Sequence, residues 1–409
     1  MRSGASPQAE RRIESPHLRS RTQNSGQILN WVTFEATQQL WKKYKVPIAI
    51  PNVTDDDISA VVGALKENAL SSGEFVDRFE KEFADFVGTK HAVAVNSGTA
   101  AIEVSLKTVG VGPRDEVIVP SFTIAATSNA VITLGAKPIF VDIEETSYNL
   151  DSNLIEKAIT PKTKAIMPIH YAGQCADMRP ILEVANKHNI PVVEDAAPAV
   201  GALYQGSKAG TFGRTGCFSF FPDKNMTTGE GGMLTTNDQS IAEKAKYLRK
   251  HGASSRYYNV EVGWNYKMPD FCAALGSSQL RRLAQVLKRK NEIAQYYSEE
   301  FEKTEGILPP SVRESSYHTF TIYPIRTKDE SSRQRIRQQL EEKSIETRVN
   351  FPPVHLQPVY VDMYKFKRGY LPVTESVGDT VVSLPIFTAM TPDIQDLIIR
   401  SVRGAVAES

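Results

Sequence analysis

The sequence predicts an α/β fold, with a mainly parallel sheet flanked by helices in a large domain and a smaller α+β domain after it. Three observations lead there. Short runs rich in Val, Ile and Ala recur through the first two thirds of the chain. Stretches of helical period lie between them. The pattern then changes after about residue 280.

The β-rich runs are 92–95, 117–120, 138–141, 165–169, 191–194, 217–221 and 232–236. Several are nearly continuous in apolar residues, as in strands covered on both faces. Between them, residues 99–110 place Ile102, Leu106 and Val109 on one face, with Thr99 positioned to cap the start. Residues 178–189 carry Ile181, Val184 and Ala185, with Asp177 before them and Pro180 in the first turn. Strand–helix alternation of this kind is the pattern of a parallel sheet.

Beyond residue 280 come a basic, polar helix (283–302), a strand (319–325), a charged helix (335–343) and a Pro-rich loop (350–358). Thr391-Pro392-Asp393 opens a terminal helix, with proline at its first position. The expected organisation is an N-terminal extension over 1–44, a large domain over 45–282 and a small domain over 283–409. The first 25 residues are rich in Arg and Ser and read as disordered. A transit peptide is the sharper alternative, which Glu10 and Glu14 weigh against.

Bulk properties narrow the function. The 409 residues, 41% of them hydrophobic, are ample for a large core. A net charge of +1 gives no support to a nucleic-acid or membrane-surface role, and no apolar run reaches the length of a membrane span. Cys175, Cys217 and Cys272 are widely spaced and odd in number, fitting reduced thiols in a cytoplasmic protein. The seven histidines show no metal-ligand spacing.

Three segments carry chemistry. Asn96-Ser97-Gly98-Thr99 follows a buried strand and opens a helix, so its N–H groups and helix dipole suit a phosphate, although such a turn is often only a tight connection. An apolar strand delivers Glu194-Asp195 to the carboxyl edge of the sheet, where open α/β sheets bind ligands. A carboxylate there suits a protonated pyridine nitrogen, or equally a helix cap. Then a strand ends at Pro222, Lys224 follows, and a Gly-rich turn leads into another strand. A lysine held in that way can form a Schiff base, and Ser219 lies five residues before it.

In this order the segments resemble the DegT/DnrJ/EryC1/StrS family of sugar aminotransferases, a branch of the fold type I pyridoxal-phosphate enzymes. The resemblance runs from about Val46 to the C-terminus. It includes LSSGEFV (70–76), NSGTAAI (96–102), PSFT (120–123), VEDAAPAVGA (193–202), FSFFPDKNMTTGEGG (218–232), GWNYKM (263–268) and PPVHLQ (352–357). It implies pyridoxal 5'-phosphate held as an aldimine by Lys224, which also moves protons, with Asp195 on the pyridine nitrogen. Gly98, Thr99 and Ser219 would bind the cofactor phosphate. Asn265 would reach into a neighbouring subunit's site, making the protein a homodimer with shared active sites.

The implied reaction moves an amino group from L-glutamate to a nucleotide-linked keto-sugar, a 4-keto-6-deoxy sugar first, for cell-surface polysaccharide, glycan or secondary-metabolite amino-sugar biosynthesis. A 3-keto sugar or keto-inositol is the alternative acceptor. Related dehydratases carry histidine at the lysine position, so Lys224 favours transamination. A catalytically silent regulator of the same fold would lose Lys224 or Asp195, and a dinucleotide oxidoreductase would need a G-x-G-x-x-G that is missing after the first strand.

Three residues depart from the family pattern. Ile124 stands where an aromatic ring often stacks on the cofactor, Pro198 where a Gln or His often meets its hydroxyl, and Lys267 where arginine is common. His170, His318 and His355 lie in family-like segments, either as packed hydrogen-bonded residues or as substrate contacts.

Overall fold

The structure is a computed structural model that describes residues 44–407. The extension expected over 1–44 thus lies, Tyr44 aside, outside the described residues.

Seven strands form the central layer: β1 (His91–Val95), β2 (Glu116–Pro120), β3 (Lys137–Val141), β4 (Thr163–Ile166), β5 (Val193–Asp195), β6 (Thr215–Ser219) and β7 (Gly232–Thr236). Pairing runs β3-β2-β4 on one side and β5-β6-β7-β1 on the other. Parallel bridges Ile166↔Val192 and Ile169↔Asp195 join the halves. Only β7 runs against its neighbours, pairing antiparallel with β1 and β6. The expected mainly parallel sheet is therefore present, its strands largely buried because helices cover both faces.

Period-two alternation along β6 assigns its residues to opposite faces. Phe218 and Phe220 face the helix Glu74–Val87, where their rings lie 5.1 and 5.3 Å from Phe83. Cys217 and Ser219 face the helix Gly98–Thr108 instead, and the Cys217 thiol approaches Ser105 Oγ at 3.1 Å. This places Ser219 beside the start of that helix.

Boundaries depart from the expectations where tertiary contacts decide. The strand expected over 217–221 begins and ends two residues earlier. The helix expected from Leu283 starts at Asp270 and runs unbroken to Phe301, 32 residues or about 48 Å. Its first half packs Ala273 and Leu283 into the core under the large sheet. Its second half packs Ile293, Tyr297 and Phe301 into a C-terminal core. The expected boundary at 282/283 therefore falls within one helix. Asp270 starts the helix without a cap bond of its own, its carboxylate accepting instead from Gly73 N and Val76 N at 2.9 Å, which fastens the LSSGEFV segment.

In the C-terminal part, β8 (Ile307–Leu308), β9 (Tyr323–Thr327) and β10 (Val381–Leu384) form an antiparallel sheet in the order β8-β9-β10. The strand expected over 319–325 starts later, because 318–321 are bent: Phe320 has φ +43° and His318 stacks on its ring at 3.9 Å. The helix Pro392–Ala407 opens at Pro392 as expected. No helix among the described residues is long and apolar enough to cross a membrane.

Candidate active site

The carboxyl ends of β1, β2, β5 and β6 supply the candidate residues, as expected at the edge of an open α/β sheet. After β1, Asn96 and Ser97 turn into the helix Gly98–Thr108. Ser97 Oγ accepts from Ala100 N at 3.1 Å, so Ser97 is the cap and not Thr99. Thr99 sits in the first turn, among N–H groups with no partner inside the helix. A Cβ on Gly98 would lie 2.7 Å from Ser219 Cβ, and one on Gly232 would lie 2.2 Å from the Ser97 carbonyl. Glycine at both positions lets the turn lie flat against β6 and β7. Gly98 and Ser219 are thereby brought into contact, with Thr99 next to them.

Asp195 ends β5 and is 3% exposed. Its Oδ2 accepts from Thr127 Oγ1 at 2.8 Å and its Oδ1 from Ala197 N at 3.2 Å. The Thr127 proton goes to Asp195, so the 2.9 Å contact between Thr123 and Thr127 has Thr123 as donor. Burial raises the Asp195 carboxyl above its usual range, against the opposing effect of these hydrogen bonds and of the Lys224 charge. A buried carboxylate so placed gains from a cationic partner.

Glu194 points to the other face of β5. Its carboxylate accepts from Gly210, Phe212 and Gly213 N–H at 2.6–2.8 Å and from His170 Nε2 at 2.9 Å. Since His170 Nδ1 accepts from Ala176 N, its proton is on Nε2. The acidic pair thus divides, Glu194 bracing the fold and Asp195 facing the site.

Lys224 lies in a turn closed by its own N–H to Phe221 O at 3.0 Å. Its side chain is 21% exposed, and Nζ stands 3.0 Å from Asp223 Oδ1. Asn225 Nδ2 donates to Thr319 O at 2.8 Å, tying the turn to the bent segment 318–321. Asp223, Thr321, Arg348 and Asn350 line one small cleft. Arg348 reaches Asp223 Oδ2 at 3.8 Å.

Asn265 lies at the edge of this constellation. Its backbone carbonyl accepts from Asn96 Nδ2 at 3.5 Å, while its side chain is exposed. Ile124, 55% exposed, precedes the helix Ala125–Thr133 that carries Thr127. Pro198 contributes its carbonyl, which accepts from the Thr321 and Thr319 hydroxyls. Lys267 is partly exposed.

The three histidines are packed residues. His170 and His355 are 0% exposed, and His318 is 3% exposed. His355 bonds Ser121 Oγ at 2.8 Å and Glu375 at 3.1 Å, holding the loop 352–357 to the end of β2. His318 Nδ1 accepts from Phe320 N, and burial pulls its pKa down to about 3.

Reading the sequence missed Thr123, Thr127, Asp223 and Arg348 as site residues. A signal exists only for the threonines, four apart at the start of a helix. The approach of segment 319–321 to Asn225 spans 94 residues and has no local signature.

The chain matches the DegT/DnrJ/EryC1/StrS aminotransferase family over residues 51–403. It is 40% identical over 382 residues to the spore coat polysaccharide biosynthesis protein SpsC of Bacillus subtilis, covering 89% of this chain and 98% of SpsC. It is 39% identical over 361 residues to the GDP-perosamine synthase of Caulobacter vibrioides, covering 87% and 96%. Among solved structures, S. venezuelae DesV, in complex with a ketimine intermediate, superposes with a TM-score of 0.83 at 34% identity, covering 91% and 96%.

Proposed function

This chain belongs to the DegT/DnrJ/EryC1/StrS aminotransferase family, and on that premise we propose that it moves an amino group from L-glutamate to a nucleotide-linked keto-sugar, a 4-keto-6-deoxy sugar first. It is a pyridoxal-phosphate-dependent sugar aminotransferase with the fold type I architecture. The residues present fit the cofactor. A flat turn at Gly98 lies against Ser219, and the buried Asp195 carboxylate gains from a cation.

The observation that carries the reading is that three chemically distinct groups, the 97–99 turn, Asp195 and Lys224, follow the carboxyl ends of β1, β5 and β6 in one sheet, with Gly98 against Ser219. The phosphate would rest on Gly98, Thr99 and Ser219. Asp195, oriented by Thr127, would hold the pyridine nitrogen protonated, and Ile124 would cover a ring face. When bound, the cofactor supplies an aldehyde for covalent capture of amines and a ring that accepts electrons from the Cα–H bond. Lys224 would anchor it and, once released, carry the proton away from the donor's Cα and return it on the cofactor side.

A perosamine synthase among the relatives supports a nucleotide-linked amino sugar as product. A role in polysaccharide or glycan amino-sugar synthesis is in keeping with SpsC. The exposed Asn265 side chain suits a homodimer in which it enters the partner's site. The free cysteines suit the cytoplasm. We retain a large domain over 45–282 and a small one over 283–409, joined through the long helix.

Incubation with glutamate and a panel of nucleotide-linked keto-sugars, read by product mass, tests the substrate. An amino-sugar product with formation of 2-oxoglutarate is expected. Lys224→Ala abolishes visible absorption and turnover together, and wild-type turnover in that variant refutes the assignment.

A further inference from the structure

Tyr266 holds the turn after β1 from both sides. Its carbonyl accepts from Asn96 N at 2.9 Å, just before residues 97–99. Its hydroxyl donates to Glu103 Oε2 at 2.5 Å, on the helix that follows the turn. Glu103 is 6% exposed, and its other oxygen accepts from Thr133 Oγ1 at 2.7 Å, at the end of the helix that carries Thr127. The Tyr266 ring stacks on Trp264 at 5.3 Å, and its own N–H donates to Arg249 O at 2.9 Å. Asn96 Nδ2 also donates to the carbonyl of the preceding residue, Asn265. Two hydroxyls thus share one buried carboxylate, and a single tyrosine grips the strand before the turn and the helix after it.

We propose that Tyr266 is a positioning residue that, through Glu103, holds the 97–99 turn in the shape that receives the cofactor phosphate. The proposal rests on the reading that this turn binds the phosphate. The first N–H groups of a helix point at an anion only while the turn before them keeps its path. Clamping both ends sets that path before the ligand arrives, so less conformational freedom is lost on binding. Tyr266 acts at one remove, because its hydroxyl proton goes to Glu103. Burial, with the Glu103 carboxylate beside it, raises the phenol pKa and keeps the hydroxyl a donor at neutral pH. Through Thr133 the same carboxylate ties the turn to the helix whose Thr127 bonds Asp195, so the phosphate end and the ring end of the site share one brace.

The test compares pyridoxal phosphate with pyridoxal, which lacks the phosphate, by absorbance titration of the full-length wild type and Tyr266→Phe. Phenylalanine keeps the ring against Trp264 and the backbone bonds, and removes only the hydroxyl. Tyr266→Phe is expected to lose about tenfold in affinity for pyridoxal phosphate and to match the wild type with pyridoxal. Unchanged affinity for pyridoxal phosphate, or an equal loss with both ligands, overturns the proposal, because a residue that only supports the fold treats the two alike. Should Tyr266→Phe not fold, Glu103→Gln decides by the same comparison: a loss confined to pyridoxal phosphate supports the proposal, and an equal loss or none overturns it. Equal affinity of the wild type for the two ligands would instead refute the phosphate role of the turn.

Discussion

Replacing Thr127 with valine removes one hydroxyl and leaves the shape of the side chain. In the native protein that hydroxyl donates at 2.8 Å to Asp195 Oδ2, and the carboxylate is 3% exposed, so water cannot substitute for it. A hydrogen bond to a charged group is worth about 1.5–3 kcal/mol, against about 0.5–1.5 kcal/mol for a neutral pair. The cofactor-free Thr127→Val protein should therefore lose about 1.5–3 kcal/mol of stability where Asp195 is ionised and about 1 kcal/mol where it is protonated. The sign with pH follows from the raised carboxyl. A folded state that holds the Asp195 proton more tightly than the unfolded chain is favoured below the unfolded pKa, and that contribution is lost as pH rises through the folded pKa. Thr127→Val raises the folded pKa further, by about one unit for each 1.36 kcal/mol of lost charge-specific bonding. Urea unfolding of the cofactor-free protein between pH 4 and 8 measures this. Thr123→Val serves as the control, since it removes only the neutral hydroxyl that donates to Thr127. A pH-independent deficit, equal in the two variants, would refute the assignment of Thr127 as a support for charge on Asp195.

Two further perturbations address the scaffold. Gly98→Ala places a methyl 2.7 Å from Ser219 Cβ and 3.1 Å from its Oγ. Overpacking of about 1–3 kcal/mol is expected, with at least a tenfold loss in pyridoxal phosphate affinity, read by absorbance titration alongside circular dichroism. Unchanged affinity would remove the phosphate role from this turn. Arg249 is buried and donates to Glu80 and to Ala94 O at 2.6 Å, while Ala94 N donates to Glu80 at 2.9 Å. These bonds brace β1 just before the turn. Arg249→Met leaves the buried Glu80 carboxylate with Ala94 N and a longer contact to Lys246 at 3.8 Å, and should cost about 3 kcal/mol in urea unfolding, so a loss under about 1 kcal/mol would show the pair to be dispensable.

Much of this protein is legible along the chain. Apolar runs such as those at 92–95 and 117–120 mark strands because a sheet covered by helices on both faces demands apolar side chains on both. The order of the 96–99 turn, Glu194-Asp195 and Lys224 is equally local, since each follows its own strand. That the first and last of these belong to one site follows from the resemblance that their motifs carry.

What tertiary structure decided is which neighbour each polar group found. Thr99 and Ser97 are equally good caps by composition, and only the backbone path made Ser97 the one that accepts from Ala100. Glu194 and Asp195 are alike in sequence, yet the pleat of β5 turns one to four structural donors and the other to the site. Lys290 reads as one more basic residue in a polar helix. It became a buried amine because a bend at Phe320, 30 residues on, closes over it. Hydrophobic period is a property of neighbours in the chain, whereas charge, burial and hydrogen bonding are properties of neighbours in space, and that is where the two kinds of knowledge part.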